Sequence, residues 1–230
     1  MIDLTPCDQL LQTYVKDGQV DYARWQKESM PALDSWLLET QKVNLDTLNQ
    51  AEGIAFLINV YNAVTIQQVL QKYPIDSIQP TVLGVPNMAS FLLFFKKPVY
   101  SLNGSKLSLD GIEHDTLRAR YQESRIHFAL VCASEGCPPL RAGAYMPTQL
   151  SAQLEEDTRQ FINNPEKVRY DSVSRKLYCS KIFKWYRDDF LTQAASVPNY
   201  IQTYLAVELP ADVEIEYLPY SWQLNSQPRS

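Results

Sequence analysis

The chain has 230 residues, of which 45% are apolar or aromatic, 20% are charged and only seven are glycine. Such a composition can bury a sizeable core and excludes a disordered tail. Lysine and arginine number 21 against 26 acidic residues, a net charge of −5; no basic block concentrates a positive field, so nucleic acid is excluded as a partner. No apolar run approaches the roughly 18 residues that span a bilayer, since residues 91–95 are closed by Lys96 and Lys97, and no membrane span is expected.

Thr5 before Pro6, with Leu10, Leu11, Tyr14 and Val15 at three-to-four spacing, predicts a first helix that Asp17 and Gly18 end. Residues 21–41 carry a stripe of Tyr22, Trp25, Leu33, Trp36 and Leu37 interrupted at Pro31, and predict two short helices. Residues 50–73, apolar on most faces and stopped by Pro74, predict a buried central helix. Four prolines within residues 74–98 predict a long irregular segment over the core, of the kind that borders sites. Asn103-Gly104 predicts a type I′ hairpin between residues 99–102 and 106–109.

Asp110 or Ser108 can then cap a helix that carries Ile112, His114, Leu117 and Tyr121. Residues 126–131 predict a central strand, and Gly136, Pro138 and Pro139 a tight loop leaving its end. Further on, the patterns predict an amphipathic helix over 148–163, a hairpin over 168–179, helices over 182–190 and 199–206, and a last strand over 213–217. Helices outnumber strands and the hairpins imply a small, mainly antiparallel sheet, which defines a single α+β domain over residues 1–230.

Cys132 is the first candidate for chemistry, because it stands where a buried strand gives way to a loop. A nucleophilic thiol needs a base, and only His114 and His127 supply imidazole. On an extended strand His127 lies about 16 Å from Cys132 and on the opposite face, so His114 is the expected partner. Their sulfur and ring nitrogen are expected within about 4 Å, in a cleft bordered by residues 74–98; His127 is expected buried, bonded to backbone or a carboxylate. The competing reading makes Cys132 a small apolar core residue, as it makes Cys7 and Cys179. Zinc on His114, Cys132 and Cys137 lacks a fourth ligand, so no metal is expected.

The four residues between Cys132 and Cys137 permit a disulfide or a resolving role. Pro138 and Pro139 fix where Cys137 points, and the expectation is a free, packed thiol. Asn59 and Asn62 share one face of the central helix and either pin loop backbone or serve as an orienting or oxyanion-binding amide. Glu113 points roughly 100° away from His114 on a helix and does not orient it directly. Arg141 can hold an anionic substrate or form a surface ion pair.

Taken together, AFLINVYNAVT at 55–65, LSLDGIEHDTLR at 107–118, RIHFALVCASEGCPPLRAGAY at 125–145 and SKIFKWYRDDF at 180–190, with YVKDGQVDYARW at 14–25, resemble the family called domain of unknown function 547. The likeness runs from about residue 10 to 205, leaving 206–230 as a terminal strand and tail. It implies that Asn59, Asn62, Glu113, His114, His127, Cys132 and Cys137 stand at the family's own motif positions, whereas Cys179 stands where the family has an aliphatic residue. It also implies a bacterial protein that is periplasmic or secreted if a leader was trimmed, and cytoplasmic otherwise. A comparison with Cys/His hydrolases of the papain and transglutaminase type rests on site chemistry alone and needs a rearranged topology, because His114 precedes Cys132.

The leading expectation is a thiol-dependent hydrolase or acyl transferase with Cys132 as nucleophile and His114 as base, acting without a cofactor on a small molecule or peptide. Asn59, Asn62, Glu113, His127, Cys137 and Arg141 would support the site or bind substrate. The alternatives are a non-catalytic binding module with structural His and Cys, and a thiol redox protein.

Overall fold

In the computed structural model, which describes residues 2–83 and 85–228, the chain begins with α1 (Thr5–Tyr14), with Pro6 in its first turn. Asp17 and Gly18, both in the left-handed region, turn β1 (Val15–Lys16) into β2 (Gln19–Val20). Asp21 then caps α2 (Tyr22–Glu28) by accepting the Arg24 N–H, and Pro31 opens α3 (Met30–Thr40). These are the two short helices expected from the break at Pro31. They pack on α4 (Gln50–Leu70), which starts at a reciprocal cap between Asn49 and Glu52 and is buried on all faces from Gly53 to Ile66. A helix apolar all round is stable only inside a core, and this one is the axis of the larger of two apolar clusters.

The segment over 74–98 is not irregular throughout. It holds the pair β3 (Thr81–Val82) and β4 (Val85–Pro86), followed by α5 (Met88–Lys96). Asn87 caps this helix by accepting the Ser90 N–H, and Phe94 anchors it in the core. Proline spacing hid a helix that has none of the prolines inside it. The hairpin of β5 (Tyr100–Leu102) and β6 (Ser105–Leu107) turns at Asn103 and Gly104 with φ of 48° and 82°, the left-handed pair that a type I′ turn demands.

Next comes a π-helix over Gly111–Arg118, running on into α6 (Ala119–Tyr121). Thr116 Oγ1 donates to the Gly111 carbonyl five residues back, matching the wider turn. Residues 126–131 do not form the expected strand: Ser124–Phe128 is a 3-10 helix, begun where the Glu123 side chain accepts the Arg125 N–H, and 129–131 pair with a side chain instead of a neighbouring strand.

The remainder supplies α7 (Leu150–Ile162), the hairpin β7 (Val168–Asp171) and β8 (Lys176–Cys179), α8 (Ile182–Trp185), α9 (Arg187–Phe190), α10 (Val197–Tyr204) and β9 (Glu214–Tyr217). The sheet order is β7-β8-β9, antiparallel between the first two and parallel between the last two. Phe128, Phe161, Phe183, Phe190 and Tyr200 form a second apolar cluster beneath this sheet. The architecture is α+β, with helices dominant and the sheets small. Residues 220–227 are not a loose tail: they return across the molecule, bridging Gln223 to Ser77, Leu224 to Ser134 and Ser226 to Val20.

Candidate functional site

A cleft of about 370 Å³ lies where the two apolar clusters meet. The π-helix brings Glu113 and His114 to it, with Asp110 just before its start, the 3-10 helix brings His127, and the loop that follows brings Cys132, Cys137 and Pro138. Helix α5 closes one side with Phe91, Leu92, Phe95 and Lys96, so residues 74–98 border the cleft. Trp185, Tyr186, Tyr220 and Trp222 complete an aromatic wall in which Phe91 meets Trp222 edge-on, with ring centres 4.6 Å apart.

The backbone beneath the sulfur atoms is held by α4. Asn62 donates Nδ2 to the Ala129 carbonyl and accepts the Val131 N–H at Oδ1, both at 2.9 Å. Asn59 makes the same pair of bonds to the Tyr145 carbonyl and N–H. Both amides are buried and spent on backbone, which favours their pinning role; what they pin is the loop of 129–145, not the proline segment. Arg141 is likewise engaged, by Asp157 at 2.8 Å and by Glu156, while Tyr145 donates to Asp157 at 2.6 Å.

Cys132 and Cys137 are joined by a disulfide, with α-carbons 6.3 Å apart. Cys137 is therefore not the free thiol expected from the stiffness of Pro138 and Pro139; a turn closed by its N–H on the Ser134 carbonyl at 3.0 Å brings it back to Cys132. Both line the cleft, Cys132 half-buried and Cys137 buried. Two donors converge on Cys137 Sγ, the Cys132 N–H at 3.0 Å and the Tyr220 hydroxyl at 3.2 Å, while Ser134 Oγ lies 3.3 Å from both sulfur atoms and donates to Tyr220 Oη at 3.5 Å. Burial pushes the Tyr220 phenol well up, so it remains a donor. A sulfur so surrounded is prepared to carry negative charge.

His114 and Cys132 share the cleft, but among the described residues no hydrogen bond joins them. His114 Nδ1 lies 2.7 Å from Arg118 Nη1 and must accept from it, because a guanidinium only donates. The ring proton then sits on Nε2, 3.7 Å from Asp110 Oδ1. Arg118 turns its other edge to Asp189, with two bonds of 2.7 Å.

Asp189 is the residue that pattern reading missed. It also binds His127 Nε2 at 2.7 Å. Burial pushes its carboxyl up, but the hydrogen bonds from His127 and Arg118 outweigh burial and hold it well below the usual carboxylate range. Burial in turn pushes the His127 imidazole down, despite the Asp189 hydrogen bond. His127 is thus a neutral ring donating from Nε2, buried and bonded to a carboxylate as expected. Its free Nδ1 lies 4.0 Å from Glu113 Oε1, and its face stacks on Tyr186 at 3.7 Å. With no strand over 126–131, the extended geometry that set His127 and Cys132 on opposite faces does not exist, and both line one cleft. Glu113 faces His127 without a hydrogen bond to it, does not orient His114, and is instead the acceptor for the Tyr61 and Tyr186 phenols. Burial above all, and then the Glu113 charge, pushes the Tyr61 and Tyr186 phenols well above their ordinary value.

Tyr220 and Trp222 were also missed, both in the stretch set aside as tail. Its density of aromatic residues (Tyr217, Tyr220, Trp222) is the signal that could have found them. Asp189 sits in the RDDF of the fourth family-like motif, but nothing local tells which of its two acids meets a histidine 62 residues earlier.

The fold and site thus define an α+β protein with a disulfide, two histidines and a buried acid grouped in one aromatic-walled cleft. Residues 45–162, half of the chain, match the family described as "protein of unknown function, DUF547", and the chain belongs to that family. The match includes both asparagines, both histidines, Glu113 and both cleft cysteines, and ends before Asp189 and Tyr220. No curated protein and no solved structure matches the chain.

Proposed function

We propose that the protein is a thiol–disulfide redox protein whose reactive bond is Cys132–Cys137. The observation that carries this reading is the asymmetry of the pair: both sulfur-bearing residues line the cleft, but Cys132 is half-buried, while Cys137 is buried and accepts from the Cys132 N–H and the Tyr220 hydroxyl. A substrate thiolate entering the cleft attacks Cys132 Sγ, forming a mixed disulfide and releasing Cys137 as a thiolate that those donors stabilise. A second substrate thiolate then attacks the substrate sulfur of that mixed disulfide, leaving Cys132 as thiolate and the substrate oxidised by two electrons. A further disulfide substrate accepts those electrons from the protein dithiol and restores the bond. The substrate class is a small or peptide dithiol, and the aromatic wall supplies its apolar contacts. A cleft disulfide of this kind suits an oxidising compartment, in keeping with a periplasmic or secreted protein.

The Asp189–His127 pair favours one second reading. In the reduced protein, a neutral imidazole oriented by a carboxylate is the base that a Cys132 nucleophile needs, which is the thiol-dependent hydrolase or acyl transferase with His127 in the place expected for His114.

Equilibration in glutathione buffers, read by mass spectrometry of non-reduced peptides, tests the first reading. The Cys132–Cys137 bond is expected to reduce at a midpoint above about −250 mV; a value below about −300 mV, the range of structural disulfides, ends the redox reading. Cys137→Ser separates the two. It abolishes dithiol oxidation under the first reading, and under the second it frees Cys132 for ester or thioester hydrolysis.

A further inference from the structure

The β3–β4 hairpin and α5 present apolar side chains to solvent. Leu83 is 99% exposed at the hairpin tip, Val85 66%, Leu93 60%, Met88 50% and Leu92 48%. On α5, Met88 and Leu92 are one helical turn apart, with Leu93 beside them, while Phe94 and Phe91 hold the other side to the core and to Trp222. The protrusion therefore keeps a firm base.

Charge is distributed to match. Residues 77–109 contain no Asp, Glu or Arg and three lysines, a net charge of +3 within a chain of −5. Lys96 and Lys97 end α5, are exposed, and make no ion pair among the described residues. An apolar tip flanked by unpaired lysines, on an otherwise acidic protein, is the composition that enters the interface of an anionic bilayer. A second copy would set the same lysines against each other across a two-fold contact.

We propose that the β3–β4 hairpin and α5 dock on an anionic phospholipid membrane, inserting Leu83, Val85, Met88, Leu92 and Leu93 while Lys96 and Lys97 meet the headgroups. The same helix borders the cleft through Phe91, Leu92 and Phe95, so docking puts the mouth of the cleft at the membrane surface. Docking is independent of the redox reading, since it uses neither sulfur.

Flotation of the intact, oxidised protein with vesicles tests it. The protein is expected to float with vesicles of phosphatidylcholine containing about 30% phosphatidylglycerol, about tenfold more weakly with phosphatidylcholine alone, and more weakly as salt is raised. Leu83→Glu with Leu93→Glu, both at exposed positions, should abolish flotation with circular dichroism unchanged, and Lys96→Glu with Lys97→Glu should remove the preference for the anionic lipid. Absence of flotation with either vesicle, or equal flotation of the leucine variant, overturns the proposal. Self-association of the wild type that the leucine variant abolishes, without vesicle binding, overturns it in favour of a second copy.

Discussion

Asp189 Oδ2 lies 2.7 Å from His127 Nε2 while the Arg118 guanidinium closes over both Asp189 oxygens, so one carboxylate fixes a histidine and an arginine at once. Arg118 passes the constraint to His114, and the two histidines become parts of one network between α9 and the π-helix.

Stability should fall with acid because of this network. His127 is held below its ordinary value, so in the window from about pH 6.5 downward the unfolded chain takes up a proton that the folded chain refuses. The contribution is complete above that window and is lost as pH falls, at up to about 1.4 kcal/mol per pH unit for one proton. Asp189 is also depressed, so its contribution is present above about pH 4 and disappears below it. Urea unfolding at pH 7.5 and pH 5 checks the sign: His127→Gln should lower stability at pH 7.5 and flatten the slope between the two. An unchanged slope would show that His127 does not carry it.

Asn62 should be, with Asn59, among the costliest polar residues of α4 to lose. Asn62→Leu keeps the volume but leaves the Ala129 carbonyl and the Val131 N–H buried without their partner. The expected loss is about 2–4 kcal/mol, or about 5–12 °C in Tm for a chain of this size. A Tm within 2 °C of wild type, allowing about 1 kcal/mol, would mean that the loop finds other partners.

What could be read from the sequence follows the range of the interactions. The Asn103-Gly104 turn and the apolar circumference of α4 depend on near neighbours and were legible, while the Asn49–Glu52 cap, equally local, was passed over. The run over 126–131 was misread as a strand because burial looks alike in either conformation; its backbone partner is an amide 67 residues away. His114, His127, Cys132 and Glu113 were picked out by residue type, and all four do reach one cleft. Their grouping was not readable, since Asp189 and Tyr220 arrive from α9 and from the returning C-terminal segment.

Thiol counting should separate the four cysteines into two classes. Burial pushes the thiols of Cys7 and Cys179 up to about 12, and both are free but enclosed. Native, unreduced protein should show no fast reaction with a disulfide reagent and two thiols after unfolding in urea. Mild reduction should add Cys132 and Cys137. Four thiols in unreduced, unfolded protein would mean that the cleft bond does not form.

Gly136 keeps the C-terminal segment against the disulfide loop. A β-carbon there would stand 2.6 Å from the Tyr220 ring and 2.7 Å from the Ser221 carbonyl oxygen, the latter fixed by the Gly136 N–H. Gly136→Ala should therefore cost about 1–3 kcal/mol through overpacking and lift Tyr220 from the sulfur atoms. Limited proteolysis should then cut near residue 220 faster than in wild type; equal rates would show that the segment accommodates the methyl group.

Tyr220→Phe probes the sulfur environment with the least change of shape. The phenyl ring can keep its contacts with Trp185 and Trp222, while the hydroxyl that donates to Cys137 Sγ at 3.2 Å is removed. A hydrogen bond to a charged acceptor is worth about 1.5–3 kcal/mol, and it favours the thiolate over the sulfur of the intact bond. Its loss destabilises the reduced state, so the midpoint should move to more negative potential by about 30–60 mV, at about 30 mV per 1.4 kcal/mol for a two-electron couple. The same change makes Cys137 a poorer leaving group, so reduction by a small thiol should slow as well. Ser134→Ala, which removes a hydroxyl 3.3 Å from both sulfur atoms that donates to Tyr220 Oη, should shift the midpoint in the same direction. A move toward positive potential in both variants would show that the hydroxyls stabilise the disulfide rather than the thiolate, and the redox reading would lose the observation on which it stands.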